Sequence, residues 1–311
     1  MSQQVMGTAL AARPAVSPVR RRRVNLSRFA PYLFLAPFLI LFVLFLIVPL
    51  GYALNLSLWR QTMVGGVRFI GADNYVKALG DPKFWDGVFL LVRYGLLQIP
   101  VMLSGALLLA LILDSGTIWA RNFFRLGLFL PYAVPTVIAA LIWGYLYGPN
   151  FGPLAQMAAY LGLPPPDLLG RQLLLGALAN ISIWEHMGYF MIIYYAALQA
   201  IPDEFEEAAA VSGARAWQYV IYVKLPLIRG TILVTAIFAI IGTLQLFAEP
   251  YLIQNLAPGV INSNYTPNIY AYNLAFVNQE YNYSAAISFV LGGVVAVISY
   301  FFMLATGQRG K

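Results

Sequence analysis

The sequence predicts an all-α integral membrane protein from its composition, its apolar runs and the placement of its basic residues. Of its 311 residues, 60% are hydrophobic and 10% are charged, whereas soluble domains carry about 25% charged residues. The apolar residues form six long runs, and the basic residues stand between these runs, as in membrane proteins. Because a bilayer offers no water to backbone amides, the runs are expected to be helices.

Six spanning helices are predicted in chain order. They cover residues 32–56, 87–113, 123–147, 173–198, 228–247 and 285–304. Each can cross a hydrocarbon layer about 30 Å thick at about 1.5 Å per residue. Pro100, Pro131 and Pro135 predict kinks in the second and third helices. The first run has no small-residue cleavage pattern, which favours an uncleaved span over a secretory signal.

The lysines and arginines predict the orientation. With the amino terminus inside, 13 of the 19 fall in inner segments and five in outer ones. Because cytoplasmic segments are enriched in these residues, both termini are predicted to be cytoplasmic. Residues 1–30 and 307–311 are then tails on a transmembrane domain of residues 31–306. The remaining arginine, Arg93, lies within a helix and either extends to the outer interface or pairs with Glu249.

Three outer segments are predicted to be loops. They cover residues 59–85, 148–172 and 251–283, and the first and last are rich in tyrosine, asparagine and glycine. These loops could cap the helix bundle, or they could face a soluble partner. Composition alone leaves both roles open.

The composition also excludes several classes of chemistry. The chain has no cysteine and a single histidine, His186, which rules out disulfides, thiolate metal sites and cysteine nucleophiles. No G-x-x-x-x-G-K-[ST] phosphate loop occurs, so any ATP hydrolysis must take place on another chain. The net charge of +7 does not gather on one aromatic-rich face, which disfavours nucleic-acid binding. We therefore expect a non-catalytic chain without its own cofactor or metal, with His186 buried and neutral.

Residues 201–229 form the most informative segment. Pro202 suits the first turn of a helix, and the four acidic residues that follow it place negative charge at the positive end of the helix dipole. Gly213 favours a helix stop, since glycine readily adopts the left-handed conformation. A second short helix is predicted to run through Tyr222 and to end before Pro226. The expected structure is a helix–turn–helix at the cytoplasmic surface, and a plain hairpin between two spans is the alternative.

An ordered motif runs through this segment. It consists of Glu207, Ala208, Ala209, Gly213, Val223, Leu225 and Pro226. Its spacing resembles the E-A-A-x-x-x-G-x9-I-x-L-P signature of the permease subunits of binding-protein-dependent ABC importers, with valine in place of isoleucine. Residues 69–75, 81–85, 124–131 and 143–147 resemble the carbohydrate-uptake branch of that family, which contains the maltose and glycerol-phosphate permeases. The opening helix resembles the first of that branch's two permease subunits.

The resemblance implies a type I ABC importer permease fold, with six transmembrane helices and a cytoplasmic coupling helix. The core importer module would cover about residues 86–304, with the coupling loop at residues 201–229. In that family the loop docks on a separate ATPase. The resemblance thus assigns ATPase coupling to Glu207, Ala208, Ala209, Gly213, Leu225 and Pro226.

The resemblance also implies the cellular setting. The chain would be a multi-pass protein of the bacterial cytoplasmic (inner) membrane and would form half of the path for a sugar or sugar-like solute. Its partners would be a second homologous permease, a dimer of ATP-binding subunits that holds ATP and Mg, an extracytoplasmic solute-binding protein and membrane lipid. A secondary transporter or a channel subunit not driven by ATP is the alternative function, but neither explains the motif.

Five residues are candidates for the solute path: Trp184, Glu185, Tyr189, Gln245 and Glu249. Glu185 lies near the middle of the fourth span, where a charged side chain costs about 2.5–3.5 kcal/mol and is expected to face a cavity or a partner. Tyr189 lies one turn further on the same face, beside a stripe of Trp184 and Gly188. Each candidate could bind solute hydroxyls or could join helices by hydrogen bonds, and the sequence favours neither role.

Overall fold

The structure is a computed structural model that describes residues 30–62, 65–116 and 118–307. Helices dominate the described residues, as predicted. The predicted amino-terminal tail with its arginines lies outside the described residues, as does nearly all of the short carboxy-terminal tail. Two compact units divide the chain, Met1–Tyr52 and Ala53–Lys311.

The first described segment is a long helix. Helix α1 (Ala30–Phe42) continues through a π-helical turn (Val43–Ile47) into α2 (Val48–Ser57). The apolar side chains along it are exposed, as a helix facing lipid requires. Its 27 residues from Pro31 to Ser57 are long and apolar enough to cross a membrane.

The first outer segment is folded rather than a plain loop. Strands β1 (Trp59–Thr62) and β2 (Gly66–Phe69) form an antiparallel hairpin, and α3 (Asp73–Leu79) follows. The buried amide of Asn74 donates hydrogen bonds to the carbonyls of Ser57 and Trp59, at 2.8 and 2.9 Å. The prediction of a loop is wrong here, because this amide fixes α3 to the end of α2.

Two long helices build the core. Helix α4 (Pro82–Asp114) and α8 (Leu174–Gln199) pack against each other over most of their lengths. Small residues allow close approach, since a β-carbon on Gly105 of α4 would lie 2.7 Å from Met187 of α8. Helix α4 continues through Pro100 without a break in the helix.

The third predicted span is broken. Helix α5 (Arg121–Phe129) and the 3₁₀ turn Leu130–Ala133 precede α6 (Thr136–Leu146), and the two parts meet at 94°. Pro135 explains the break, because a residue before proline is driven out of the helical region, and Val134 is extended with ψ 126°. The predicted kink is confirmed and is larger than an ordinary proline kink.

The broken segment nevertheless follows α8 from end to end. Its ring contacts pair Tyr132 with Tyr189 and Trp143 with Trp184. Further along, Tyr147 donates a hydrogen bond to the carbonyl of Ala177. The partners on α8 thus occur in reverse order, as expected for two antiparallel segments.

The remaining helices complete the described chain. After α6 come α7 (Pro153–Tyr160) and α8, and the inner segment holds α9 (Glu204–Val211), α10 (Ala216–Tyr219) and α11 (Leu225–Leu227). The last helices are α12 (Arg229–Leu244), α13 (Ala248–Ile253), α14 (Pro267–Tyr272), the π-helical turn Asn273–Val277 and α15 (Tyr281–Gly307). The other two outer segments, predicted to be loops, therefore contain helices as well.

By length and apolar character, four helical stretches among the described residues can cross a membrane. They are Pro31–Ser57, Pro82–Asp114, Arg229–Ile253 and Tyr281–Thr306, and the bent pair of α5 and α6 would make five. Helix α8 has 26 residues, but it carries Glu185 and His186 and is less apolar than these stretches. The count of six spans stays a prediction.

In two places a π-helical turn ends two residues before a proline. Val43–Ile47 is followed two residues later by Pro49, and Val220–Lys224 by Pro226. In an α-helix the proline ring clashes with the carbonyl four residues earlier, and the wider π turn displaces that carbonyl. Pro226 therefore lies inside α11, and the prediction that the second inner helix ends before it is wrong.

Candidate solute cavity and coupling surface

A cavity of about 420 Å³ lies among α4, α6, α8, α12 and α13. Its polar lining comes from Gln98, Thr136, Ser182, His186, Gln245 and Glu249, among other residues. Its apolar lining includes Phe190, Phe238 and Phe247. Polar groups beside aromatic rings inside a helix bundle are typical of a small-molecule site.

A hydrogen-bond network joins three helices at this cavity. The side-chain amide of Gln98 on α4 donates to the Ser182 hydroxyl on α8 at 2.8 Å. The Gln98 carbonyl accepts from the Thr243 hydroxyl on α12 at 2.9 Å. All three residues are buried. Since each buried polar group has a partner, the network holds these helices in a fixed arrangement.

The helix break beside the cavity places Gln245 and Glu249. Helix α12 ends at Leu244, residues 245–247 are not helical, and α13 begins at Ala248. The Leu244 carbonyl, left without a helical partner, accepts a hydrogen bond from the Asn268 side chain at 3.3 Å. Non-helical backbone at membrane depth is tolerated where it lines a cavity. Gln245 therefore lies in the break and Glu249 in the first turn of α13, and both line the cavity.

Glu185 and Glu249 are buried acids in the same part of the molecule, with 2% and 8% of their surfaces exposed. Thr136 is a hydrogen-bond partner of the Glu185 carboxyl group, and His186 and Glu249 lie close enough to act on its charge. One of its oxygens, Oε2, is buried without a hydrogen-bond partner among the described residues. Because an unpaired buried oxygen is costly, this carboxyl group retains the capacity to accept a hydrogen bond.

The other two predicted path residues pack against the broken span. Tyr189 stacks on Tyr132 with 4.5 Å between ring centroids, and Trp184 meets Trp143 edge-on at 5.7 Å. A β-carbon on neighbouring Gly188 would overlap the Leu128 carbonyl, so the glycine allows this close contact. The lining of the cavity does not include Trp184, Glu185 or Tyr189.

The hydrogen-bond network of Gln98, Ser182 and Thr243 was not predicted from the sequence. Gln98, Ser182 and Thr243 lie on three different predicted spans, and only their polarity within apolar runs distinguished them. His186, which was expected to be buried, is half-buried and lines the cavity, and its Nδ1 lies 3.0 Å from the Ser182 carbonyl. Arg93 is exposed and donates to the Phe89 carbonyl at 3.4 Å, and no ion pair with Glu249 occurs within the described part of the chain.

Residues 201–229, which were predicted to be cytoplasmic, form a helix–turn–helix with an exposed surface. Asp203 precedes α9, whose first turn carries three further acids, as predicted. Gly213 turns the chain with φ +72°, in the left-handed region that glycine adopts most easily. The expected stop and its conformation are confirmed. Ala208, Ala209 and Gly213 line an open groove of about 520 Å³, between α9 and the segment from Gln218 to Val223.

Asp114 fixes this surface to the core. The carboxylate, at the end of α4, forms an ion pair with Lys224 at 2.5 Å. Its second oxygen accepts a hydrogen bond from Gln199, the last residue of α8, at 2.6 Å. Both charged side chains are largely buried. Three elements thus meet at one carboxylate: the two core helices and the segment that leads to Leu225 and Pro226.

Comparisons with known proteins place the chain in a family. Residues 105–307 match the family described as "Binding-protein-dependent transport system inner membrane component". The arabinooligosaccharides transport system permease protein AraP of Bacillus subtilis (strain 168) is 31% identical over 282 residues, which cover 90% of this chain and 89% of that protein. The lactose transport system permease protein LacF of Rhizobium radiobacter is 32% identical over 284 residues, covering 89% of this chain and 94% of LacF.

A solved structure has the same fold. A chain from a bacterial ABC transporter involved in the import of the acidic polysaccharide alginate superposes with a TM-score of 0.80. The two sequences are 23% identical, and the superposition covers 92% of this chain and 98% of that one. These matches exclude a secondary transporter or an ATP-independent channel. The chain belongs to the family of binding-protein-dependent transport system inner membrane components, as a permease subunit of an ATP-driven importer.

Proposed function

We propose that the chain forms half of the membrane path for a sugar or sugar-like solute. The cavity at Gln98, Gln245 and Glu249 carries the proposal, because it presents hydrogen-bonding groups beside phenylalanine rings. Sugars need both, since their hydroxyl groups form hydrogen bonds and their ring faces stack on aromatic side chains. Relatives whose names refer to arabinooligosaccharides and lactose support the same solute class.

The groove on α9 is proposed to receive a separate ATPase. Ala208 and Ala209 offer a surface without long side chains, which permits close packing against a partner. Large apolar side chains remain uncovered beside it, including Trp217 and Tyr222, at 52% and 70% exposure. Exposed apolar surface of this kind is typical of a protein interface. In this proposal, the shape of the coupling surface depends on Glu207, Gly213, Leu225 and Pro226.

The proposal also includes the partners of the chain and its topology in the membrane. A second permease would supply the other half of the path, and an ATPase dimer would bind ATP and Mg, so that this chain holds no cofactor. An extracytoplasmic binding protein would deliver the solute. The proposed delivery of solute is supported by a bacterial alginate transporter with the same permease fold, which is known in complex with an alginate pentasaccharide-bound periplasmic protein. Six spans with both termini cytoplasmic complete the proposed topology.

Uptake by the complete transporter in proteoliposomes tests the proposal. Labelled lactose or an arabinose oligosaccharide should enter only with ATP and the cognate binding protein. Gln245→Leu should reduce uptake of the preferred sugar several-fold, because it removes a polar group from the cavity. The matched control is Gln156→Leu, an exposed glutamine on α7, which should leave uptake unchanged. Equal uptake by both variants would contradict the assignment of the cavity.

A further inference from the structure

Two arginines on α5 contact the same tyrosine of α8. Arg121 donates a hydrogen bond to the Tyr195 hydroxyl at 3.4 Å, and the Arg125 guanidinium lies 5.7 Å from the Tyr195 ring centroid. The arginines are four residues apart and therefore share one face of the helix. Neither forms an ion pair with a carboxylate among residues 30–62, 65–116 and 118–307. Most of their hydrogen-bond donors are thus open to a ligand.

A cleft of about 500 Å³ lies beside these groups. Arg125, Ile192, Tyr195 and Gln199 contribute to its walls. None of its lining residues lines the 420 Å³ cavity, so the cleft is separate from the proposed solute path. Gln199 ends α8 just before the coupling segment, so the cleft and the coupling surface lie at the same end of the helix bundle.

Exposed apolar side chains lie on the side of α5 opposite the arginines and in the segment before it. On α5 itself, Phe123 and Leu126 are 73% and 65% exposed, and nearby Trp119 is 92% exposed. A helix with arginines on one side and exposed aromatic residues on the other is typical of the boundary between headgroups and acyl chains. The guanidinium groups then lie at the level of lipid phosphates.

We propose that Arg121, Arg125 and Tyr195 hold the phosphate of an anionic phospholipid of the inner leaflet. Guanidinium groups bind phosphate oxygens by paired, charge-assisted hydrogen bonds, and basic clefts between transmembrane helices on the cytoplasmic side are suited to acidic headgroups. The apolar wall that Ile192, Ala196 and Ala200 give the cleft favours a lipid over free phosphate, because acyl chains can cover it. Bound there, the lipid would brace the end of α8 that leads to the coupling surface.

Native mass spectrometry of the full chain in detergent provides the test. Added phosphatidylglycerol should be retained in preference to phosphatidylcholine. Each arginine should contribute about fivefold to that preference, and Arg121→Gln with Arg125→Gln about thirtyfold. Arg215→Gln is the matched control, since it removes an exposed arginine at the same end of the molecule and should leave the preference intact. Thermal unfolding in the absence of lipid should show that all variants are folded.

Three results would overturn the proposal. The first is a wild-type chain that retains both lipids equally, a result that needs no variant. The second is an equal loss of preference in the double variant and in Arg215→Gln, which would indicate a general charge effect. The third is displacement of phosphatidylglycerol by millimolar inorganic phosphate, which would assign the site to a free anion.

Discussion

Gly213 connects backbone conformation to coupling. Its φ of +72° costs a residue with a β-carbon about 1–2 kcal/mol, yet a β-carbon there would meet no atom within 4 Å. Substitution therefore strains the turn without disturbing the packing of the chain itself. Any larger effect must come from a partner that approaches the groove.

Gly213→Asp should weaken ATPase docking or uncouple ATP hydrolysis from transport, while the protein still inserts into the membrane. The matched control is Gly259→Asp, because Gly259 has φ +78° and equally open surroundings on an outer segment. Pull-down of the ATPase and binding-protein-stimulated ATP hydrolysis measure the effect. Glu207→Ala should be milder, since a dipole contact contributes about 0.3–1 kcal/mol. Wild-type docking and hydrolysis in Gly213→Asp would show that this turn is not the coupling element.

Glu185 gives a second prediction at the residue scale. Its Oε2 has no partner among the described residues, so Glu185→Gln should impair uptake or change solute preference while the complex still assembles. If the carboxyl group only joins helices, the variant should lose thermal stability and keep its selectivity. The exposed Glu280 provides the control substitution Glu280→Gln. Sugar competition assays on the assembled transporter distinguish the two results.

At the scale of helices, Asp114 is the contact through which the coupling surface can act on the core. Asp114→Asn should lower the ratio of solute transported to ATP hydrolysed, because a charged hydrogen bond contributes about 1.5–3 kcal/mol. Asp114→Lys combined with Lys224→Asp should restore part of the ratio. Asp86→Asn, an exposed outer position on α4, is the control. If Asp114→Asn transports as much solute per ATP as the wild type, the ion pair has only a structural role.

The end of α4 at Pro82 carries a pH-dependent contact. Partial burial opposes the charge on Asp81, but hydroxyl donors on Tyr283 and Tyr270 at 2.7 and 2.8 Å, together with Lys83, lower the pKa of its carboxyl group overall. A lowered pKa stabilises the folded state above the ordinary value of about 3.9. That stability is lost as the pH falls through the folded-state pKa.

Asp81→Asn should therefore unfold at a lower temperature than the wild type at pH 7, and the difference should shrink below pH 4. Tyr270→Phe removes one donor and should lower the free energy of unfolding at pH 7 by about 1 kcal/mol, again with a smaller difference below pH 4. Thermal unfolding in detergent at the two pH values measures both. A difference that stays constant with pH would assign the loss to packing instead of charge.

Local chemistry explains which elements could be predicted. The third span is broken at Pro135, as predicted, and α9 ends before Gly213, also as predicted. The break after Leu244 was not predicted, although Pro250 disfavours a helix that continues unbroken through Leu246. The hydrogen bond that satisfies the Leu244 carbonyl comes from Asn268, 24 residues away. The π turn before Pro226 was also missed, since a proline normally ends a helix and here a local widening accommodates it.

For the whole molecule, the ordered motif predicted the family, whereas the cavity could not be predicted. The motif lies within 20 consecutive residues, from Glu207 to Pro226, so its spacing is visible in the sequence alone. The Gln98 network joins residues 84 and 145 positions apart, and such pairing follows from how the helices pack. Glu249 became a candidate because an acid beside an apolar run is conspicuous in the sequence, whereas its position in the cavity wall follows from the helix break before it.

The topology can be tested because the chain has no cysteine. Ser263 and Ser212 are both exposed, the first on the last outer segment and the second on the proposed coupling surface. The distribution of basic residues predicts that Ser263→Cys reacts with an impermeant thiol reagent applied to spheroplasts, whereas Ser212→Cys reacts only after the membrane is permeabilised. The cysteine-free parent is the control for background labelling. Labelling of Ser212→Cys alone in sealed spheroplasts would invert the orientation, and the proposed ATPase surface would then face the wrong side of the membrane.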